Sequence, residues 1–189
     1  MSGIHEGLLF LVTTLFDLYL FVLVVRVLLV LAGANYYDPI TQFVVKCTDF
    51  AVKPLRRLIP NVRGIEVATI VLIFALELIK YILIASINIG AFSIPGLAII
   101  AVADTLKIFL QTYFYAIILQ VILSWVQPGS PVNMLLYRIT APIMRPIQRL
   151  VPNVGGIDIS PIPAMLLLQL SIIMIVNPLM AMGLGVALG

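Results

Sequence analysis

Four ionisable side chains stand inside otherwise apolar runs: Asp17 and Arg26 in the first run, Glu77 and Lys80 in the second. An ionised group in hydrocarbon is costly, so it is either neutralised by a partner or kept for moving ions or protons. As a pathway, Glu77 and Asp17 would be the carboxylates that pass a cation or proton along. As structure, two acids and two bases would pair between adjacent helices. Three amides, Gln111, Gln120 and Gln169, occupy the later apolar runs and suit interhelical hydrogen bonding. A second set is basic. Lys53, Arg56, Arg57, Arg145 and Arg149 lie outside the apolar runs, where they would bind anionic lipid headgroups or a partner.

Other chemistry is poorly supplied. His5 is the sole histidine and Cys47 the sole cysteine, which excludes His triads, multi-His metal sites, bis-His haem ligation and an intrachain disulfide. Neither a phosphate-cradling GxxxxGK loop nor a TVGYG-like potassium filter occurs. No enzyme activity and no cofactor are expected. Cys47 reads as a small buried residue.

The elements that position these groups follow from composition. Of 189 residues, 62% are apolar and only 10% charged, against roughly a quarter in soluble domains. Mean hydropathy is +1.19. Runs of about 20 apolar residues can cross a bilayer, and four are present: Leu8–Leu31, Val67–Ile89, about Lys107–Val126 and about Ile162–Leu184. Backbone groups in lipid must be satisfied internally, so the fold class is an all-α membrane protein with four transmembrane helices. Asp17 and Arg26 interrupt the first run and no basic segment precedes it, so it reads as a retained helix rather than a signal peptide.

Lys and Arg concentrate in the connections 32–66 and 127–161. By the positive-inside rule both connections are cytoplasmic and both termini lie outside. The net charge of +3 then reflects topology, and no nucleic-acid partner is implied. Counting about 1.5 Å per residue from the cytoplasmic ends, Arg26 lies about 8 Å deep, Glu77 about 15 Å, Lys80 about 20 Å and Asp17 about 21 Å. Asp17 is thus level with Lys80, and Arg26 can reach toward Glu77. Asp104 and Lys107 fall near the outer interface as anchors of the third helix. Residues 94–103 either extend that helix or lie along the outer surface.

A twelve-residue phrase occurs twice. Pro54–Ile65 returns ninety-two residues later as Pro146–Ile157, with eight positions identical. Both copies separate apolar runs, so the chain divides into two units, 1–93 and 94–189. Each reads helix, amphipathic segment, turn, helix, and two spans per unit make them parallel repeats. With a two-residue offset upstream of the phrase, Asp17 corresponds to Gln111 and Arg26 to Gln120. Glu77 corresponds to Gln169. Three charges in one unit become three amides in the other.

In the first amphipathic segment Ile40, Phe43, Val44, Cys47 and Ala51 form one helical stripe; Val132, Leu135, Leu136, Ile139 and Ile143 repeat it. Such a face is buried against lipid, the bundle or a partner. Pro54, Pro60, Pro146 and Pro152 are expected to interrupt these segments. Gly64 and Gly156 are placed at turns that favour glycine, and Ser160-Pro161 as the cap and first turn of the fourth helix.

These motifs resemble the YggT family of small bacterial membrane proteins, which has relatives in chloroplasts. The likeness rests on Arg26 in the first span and on Pro54, Arg56, Arg57, Leu58, Ile59 and Pro60 in the central block. Pro146, Arg149, Leu150, Val151 and Pro152 match that block again. Gly155, Gly156, Ile157, Asp158, Ser160 and Pro161 match the closing block, and Ser124-Trp125 a pair at the end of an odd-numbered helix. Gln148, Gln120, Glu66-Val-Ala68 and Phe50 depart from the pattern. If the missing arginines carry function, the second unit is impaired.

The resemblance implies a bacterial inner-membrane protein linked to osmotic tolerance, potassium uptake or division, with chloroplast relatives linked to cytochrome b6 assembly and nucleoid distribution. The expectation drawn is a non-enzymatic scaffold or accessory factor in ion and osmotic homeostasis or envelope organisation. The alternative is a small ion-conducting or transport protein acting as an oligomer. Anionic headgroups at the cytoplasmic face are the expected ligands, and a protein partner and a homo-oligomer both stay open.

Overall fold

The computed structural model describes residues 2–61, 64–88, 92–151 and 158–189. Among them the chain is all α-helical: α1 Ser2–Leu31, α2 Pro39–Leu58, α3 Val67–Asn88, α4 Ile94–Val126, α5 Pro131–Leu150 and α6 Pro161–Leu188. Helices α1, α3, α4 and α6 are each long and apolar enough to cross a membrane. Helices α2 and α5 are amphipathic. The order long, amphipathic, long thus occurs twice, which fits the two-unit reading.

Local chemistry sets the boundaries. Asp38 caps α2, its carboxylate accepting from the backbone N–H of Ile40 at 2.9 Å and Thr41 at 3.3 Å. Ser130 caps α5 through Asn133 N–H at 3.2 Å. Each cap precedes a proline at the first helical position, where no intrahelical donor is lost. Prolines 54 and 146 do not interrupt their helices, contrary to expectation. Pro54, Pro142 and Pro146 all lie inside α2 or α5, on exposed faces, where the freed carbonyls lie toward the surroundings rather than the packed interior. The helices end instead before Pro60 and Pro152. Gly64 has φ of +82° at the turn into α3, as expected. Arg63, Pro152, Gly155, Gly156 and Ile157 lie outside the described residues.

The third span begins earlier than the hydropathy run suggested. Residues 94–103 extend α4, whose start is pinned to the end of α6: Ser93 N–H donates to the Ala187 carbonyl at 3.0 Å and Ser93 Oγ to that of Val186 at 2.5 Å. Small residues permit this approach. A Cβ on Gly96 would overlap the Ala187 backbone, and one on Gly183 would lie 2.7 Å from Ile100 Cγ1. Close packing over small residues is how apolar helices associate without a hydrophobic driving force in lipid. Within α6 a π-helical turn spans Ile172–Val176, and the buried stripe Ala164, Leu168, Ile172, Val176 repeats every four residues.

The two amphipathic helices bury a shared face to different widths: Val44, Thr48 and Val52 of α2 match buried Leu136, Thr140 and Met144 of α5. In α5 the expected stripe is also inward, with Leu135, Leu136 and Ile139 buried. In α2 most of that stripe lies outside. Thr41, Val44, Thr48 and Val52 are buried, while Ile40, Phe43, Cys47 and Phe50 are exposed. Cys47 is therefore not a buried residue.

Candidate functional site

Arg26 lies in the last two turns of α1 with its side chain only 3% exposed. Its Nε donates to Glu66 Oε2 at 2.7 Å and its Nη2 to Glu66 Oε1 at 3.0 Å, a two-pronged grip on one carboxylate. Its Nη1 donates to Thr48 Oγ1 at 2.7 Å and Asp49 Oδ1 at 2.8 Å. Around this core Thr69 Oγ1 donates to Glu66 at 2.7 Å, Arg56 approaches Glu66 at 3.3 Å, and Lys53 pairs with Asp49 at 2.9 Å. One guanidinium therefore ties α1, α2 and the entry to α3. Thr48 faces inward to meet it, as Thr140 faces inward in α5. A planar five-donor fork matches a carboxylate in two places and leaves donors for others.

The expected Arg26–Glu77 contact is not made. Glu66, which sequence reasoning passed over as a departure from Asp-x-Ser, takes Arg26 because it sits at the same end of the bundle. Burial alone would raise the Glu66 carboxyl. Hydrogen bonds from Arg26 and Thr69, with the charges of Arg26 and Arg56, outweigh that and hold it below the usual range. Asp49 is likewise lowered, burial being outweighed by hydrogen bonds from Lys53 and Arg26 and by their charges.

A second cluster lies deeper. Lys80 Nζ reaches Asp17 at 2.8 Å, Glu77 at 2.7 Å and Asp104 at 2.8 Å. Tyr81 Oη donates to Asp104 at 2.8 Å, and Lys107 stands 3.6 Å from the same carboxylate. The Asp17–Lys80 pair follows the depth count. Asp104 and Lys107 are not outer anchors: with α4 starting at Ile94, Asp104 falls level with Lys80 and joins the cluster. Asp17, Glu77, Asp104, Lys107 and Gln111 line a cavity of about 220 Å³. Glu77 is 1% exposed, and neither of its oxygens has a hydrogen-bond partner among the described residues, its contact to Lys80 being electrostatic. Asp17, by contrast, is 58% exposed along its side chain.

In the second half amides stand where the first cluster has arginines. Gln120 Oε1, at the place of Arg26, accepts from Thr140 Oγ1, at the place of Thr48. Gln148, at the place of Arg56, donates to Asp158 at 2.9 Å, and Asp158 holds the place of Glu66. Asp158 also accepts from Ser160 N–H at 2.9 Å. Burial would raise its carboxyl, and the hydrogen bonds from Ser160 and Gln148 hold it below the ordinary range. Asp158 thereby orders the turn that Ser160 was expected to cap, since Ser160 makes no side-chain cap. Here the pocket widens to about 630 Å³.

The remaining expected residues divide by exposure. Lys53, Arg56, Arg57, Arg145 and Arg149 are all exposed on α2 and α5. Gln111 is half-buried beside Asp17. Gln169 does not join the interior: it is exposed on α6, because α6 packs through Ala164, Leu168 and Ile172 where α3 packs through Ile73, Glu77 and Lys80.

Compared with known proteins, the chain matches the family described as CCB3/YggT over residues 5–87 and 99–179. It is 39% identical over 187 residues to an uncharacterized protein of Pseudomonas aeruginosa, covering 96% of this chain and 94% of that one. It is 38% identical over 164 residues to the uncharacterized protein YggT of Escherichia coli K12, covering 84% of each. A protein of Vibrio alginolyticus is 39% identical over 155 residues, covering 80% of this chain and 83% of its own. No solved structure matches it.

Proposed function

The chain belongs to the CCB3/YggT family, and from that premise we propose a non-enzymatic scaffold or accessory protein of the bacterial inner membrane. Both termini face outside, and the two units are parallel repeats related about the membrane normal. Its role is in ion and osmotic homeostasis or envelope organisation, exerted through α2 and α5 at the cytoplasmic face. One observation carries this reading. Arg26 is fully engaged within the chain, whereas Lys53, Arg56, Arg57, Arg145 and Arg149 stay exposed beside exposed Phe43, Phe50, Leu58 and Leu150. Basic and apolar groups side by side on amphipathic helices suit an anionic interface, at about 1 kcal/mol per basic residue near the surface. Arg57→Ala with Arg149→Ala should cut co-purifying phosphatidylglycerol and cardiolipin severalfold at an unchanged unfolding temperature. Unchanged lipid content would count against the reading.

A second reading has its own support. Three carboxylates gather on Lys80 beside a cavity, with Glu77 buried among them, an arrangement suited to passing a cation or proton. In proteoliposomes, Glu77→Gln would then abolish potassium or proton flux while the yield of folded protein holds. Flux equal to the parent would remove this reading.

A further inference from the structure

We propose that two copies of this chain pair in the membrane through one lipid-facing row of α6, amide against amide. Polar side chains elsewhere in the spans have partners. Arg26 and Lys80 are paired inside the bundle. Ser86, Thr112 and Ser171 return their hydroxyls to the carbonyl four residues back in the same helix, at 2.7, 2.6 and 2.8 Å. Gln169 and Asn177 do neither: both are exposed on α6, and neither side chain makes a hydrogen bond among the described residues. The span runs over Pro161–Leu188. At about 1.5 Å per residue Gln169 then lies about 8 Å and Asn177 about 4 Å from its midpoint. With the span centred in a hydrocarbon core of about 30 Å, both amides are immersed and too short to reach either surface. An amide in hydrocarbon without a partner is costly, and polar side chains in spans accordingly turn toward other helices.

The π-helical turn sets the two amides in one row. Eight residues of α-helix turn about 80° past two full turns, which would carry Asn177 round the helix from Gln169. Instead the Asn177 backbone N–H donates to the Ile172 carbonyl, five residues back, and the wider turn absorbs the excess. Leu168, Ile172 and Val176 therefore stay buried in one line along α6. The residues that follow them, Gln169, Ile173 and Asn177, form a second line, and all three are exposed. Leu166 and Leu170 are exposed beside it and supply apolar surface for packing around the amides.

This row is complementary to itself. Two copies inserted in the same orientation are related by a two-fold axis along the membrane normal, and such an interface brings one surface against its own duplicate. Gln169 then meets its counterpart at equal depth, and Asn177 does the same. A side-chain amide carries both donors and an acceptor, so each pair can exchange hydrogen bonds with no further group. The row holds no charge, so it calls for no countercharge from a different protein. It also uses none of the groups on which either functional reading rests.

The test is native mass spectrometry of the full chain in detergent micelles over a range of protein-to-detergent ratios. The parent should form a dimer. Gln169→Leu with Asn177→Leu should weaken that dimer about tenfold at an unchanged yield of folded protein, since leucine suits a lipid-facing position. Arg57→Ala with Arg149→Ala should leave the dimer intact, which separates this surface from the basic faces. Crosslinking in membranes checks the same face without disturbing the amides. In a Cys47→Ser background, Ile173→Cys should give a disulfide-linked dimer on oxidation with copper phenanthroline. Ile175→Cys, exposed on the far side of α6, should not. A parent that is monomeric at every ratio would overturn the proposal, as would a double variant that dimerises as tightly as the parent or equal crosslinking at the two positions. Crosslinking of Ile173→Cys only to a different protein would overturn the assignment of a second copy as the partner.

Discussion

The two halves solve one packing problem with different chemistry. In each, a polar side chain near the end of the first long helix meets a threonine on the amphipathic helix, and an acid ahead of the next span meets a polar side chain from that same amphipathic helix. In the first half the contacts are Arg26, Thr48, Asp49, Glu66 and Arg56. In the second they are Gln120, Thr140, Asp158 and Gln148, with Ala141 where Asp49 stands. The exchange is concerted. Losing Arg26 alone would leave two carboxylates with only the more exposed Lys53 and Arg56 as countercharges, but the second half lacks the Asp49 equivalent as well. The charged version leaves a cavity of about 190 Å³ beside Arg26, while the amide version lines one of about 630 Å³. Arginine loss in the second half is therefore matched by loss of an acid, Ala141 standing where Asp49 does.

The largest effect should come from forcing the first half toward the second. Arg26→Gln leaves Asp49 and Glu66 without their main countercharge and should cost about 3–5 kcal/mol, read as a fall in unfolding temperature in detergent. Adding Asp49→Ala and Arg56→Gln completes the copy and should recover part of that loss. If the triple variant is no better than the single, the two clusters are not equivalent designs.

Acid sharpens the comparison at intermediate size. The Asp49 and Glu66 carboxyls are lowered in the folded chain. Their stabilisation is therefore present above the unfolded value of about 4, and is lost as pH falls through the folded values. Hydrogen exchange between about pH 6 and 3 should show α2 and the start of α3 loosening more than α5, where Asp158 is the corresponding acid. Glu66→Gln should flatten that response. The smallest contrast is between the threonines. Thr48→Val removes a hydrogen bond to a charged group, worth about 1.5–3 kcal/mol, and Thr140→Val a neutral one of about 0.5–1.5 kcal/mol. Equal costs would deny that charge distinguishes the halves.

Much of this was legible in the residues, and what was not has physical causes. Four spans, two amphipathic segments and the Asp17–Lys80 pair followed from hydropathy, periodicity and rise per residue. Asp104 was hidden because Gly96 and the alanines of 94–103 dilute a helix start that is secured only by contact with α6. The narrower buried face of α2 was hidden because apolar spacing does not say how far neighbouring helices cover each amphipathic segment. Glu66 could have been found by pairing it with Asp158 across the repeated phrase, since an acid at both places signals a shared job. The outward turn of Gln169 depends on how α6 meets α4, which no local pattern encodes.

The partners of Arg26 lie 22, 23 and 40 residues further along the chain. During synthesis α1 therefore reaches the bilayer before any of them has emerged to meet it, carrying a bare guanidinium that costs about 2.5–3.5 kcal/mol on insertion scales if it lies near the centre. Its proximity to the helix end lets the side chain stretch to the interface and wait. Only when residue 66 has emerged can the arginine be drawn back inside, so the first half is assembled in two acts. Gln120 asks for no such delay, and the second half can settle as it is made.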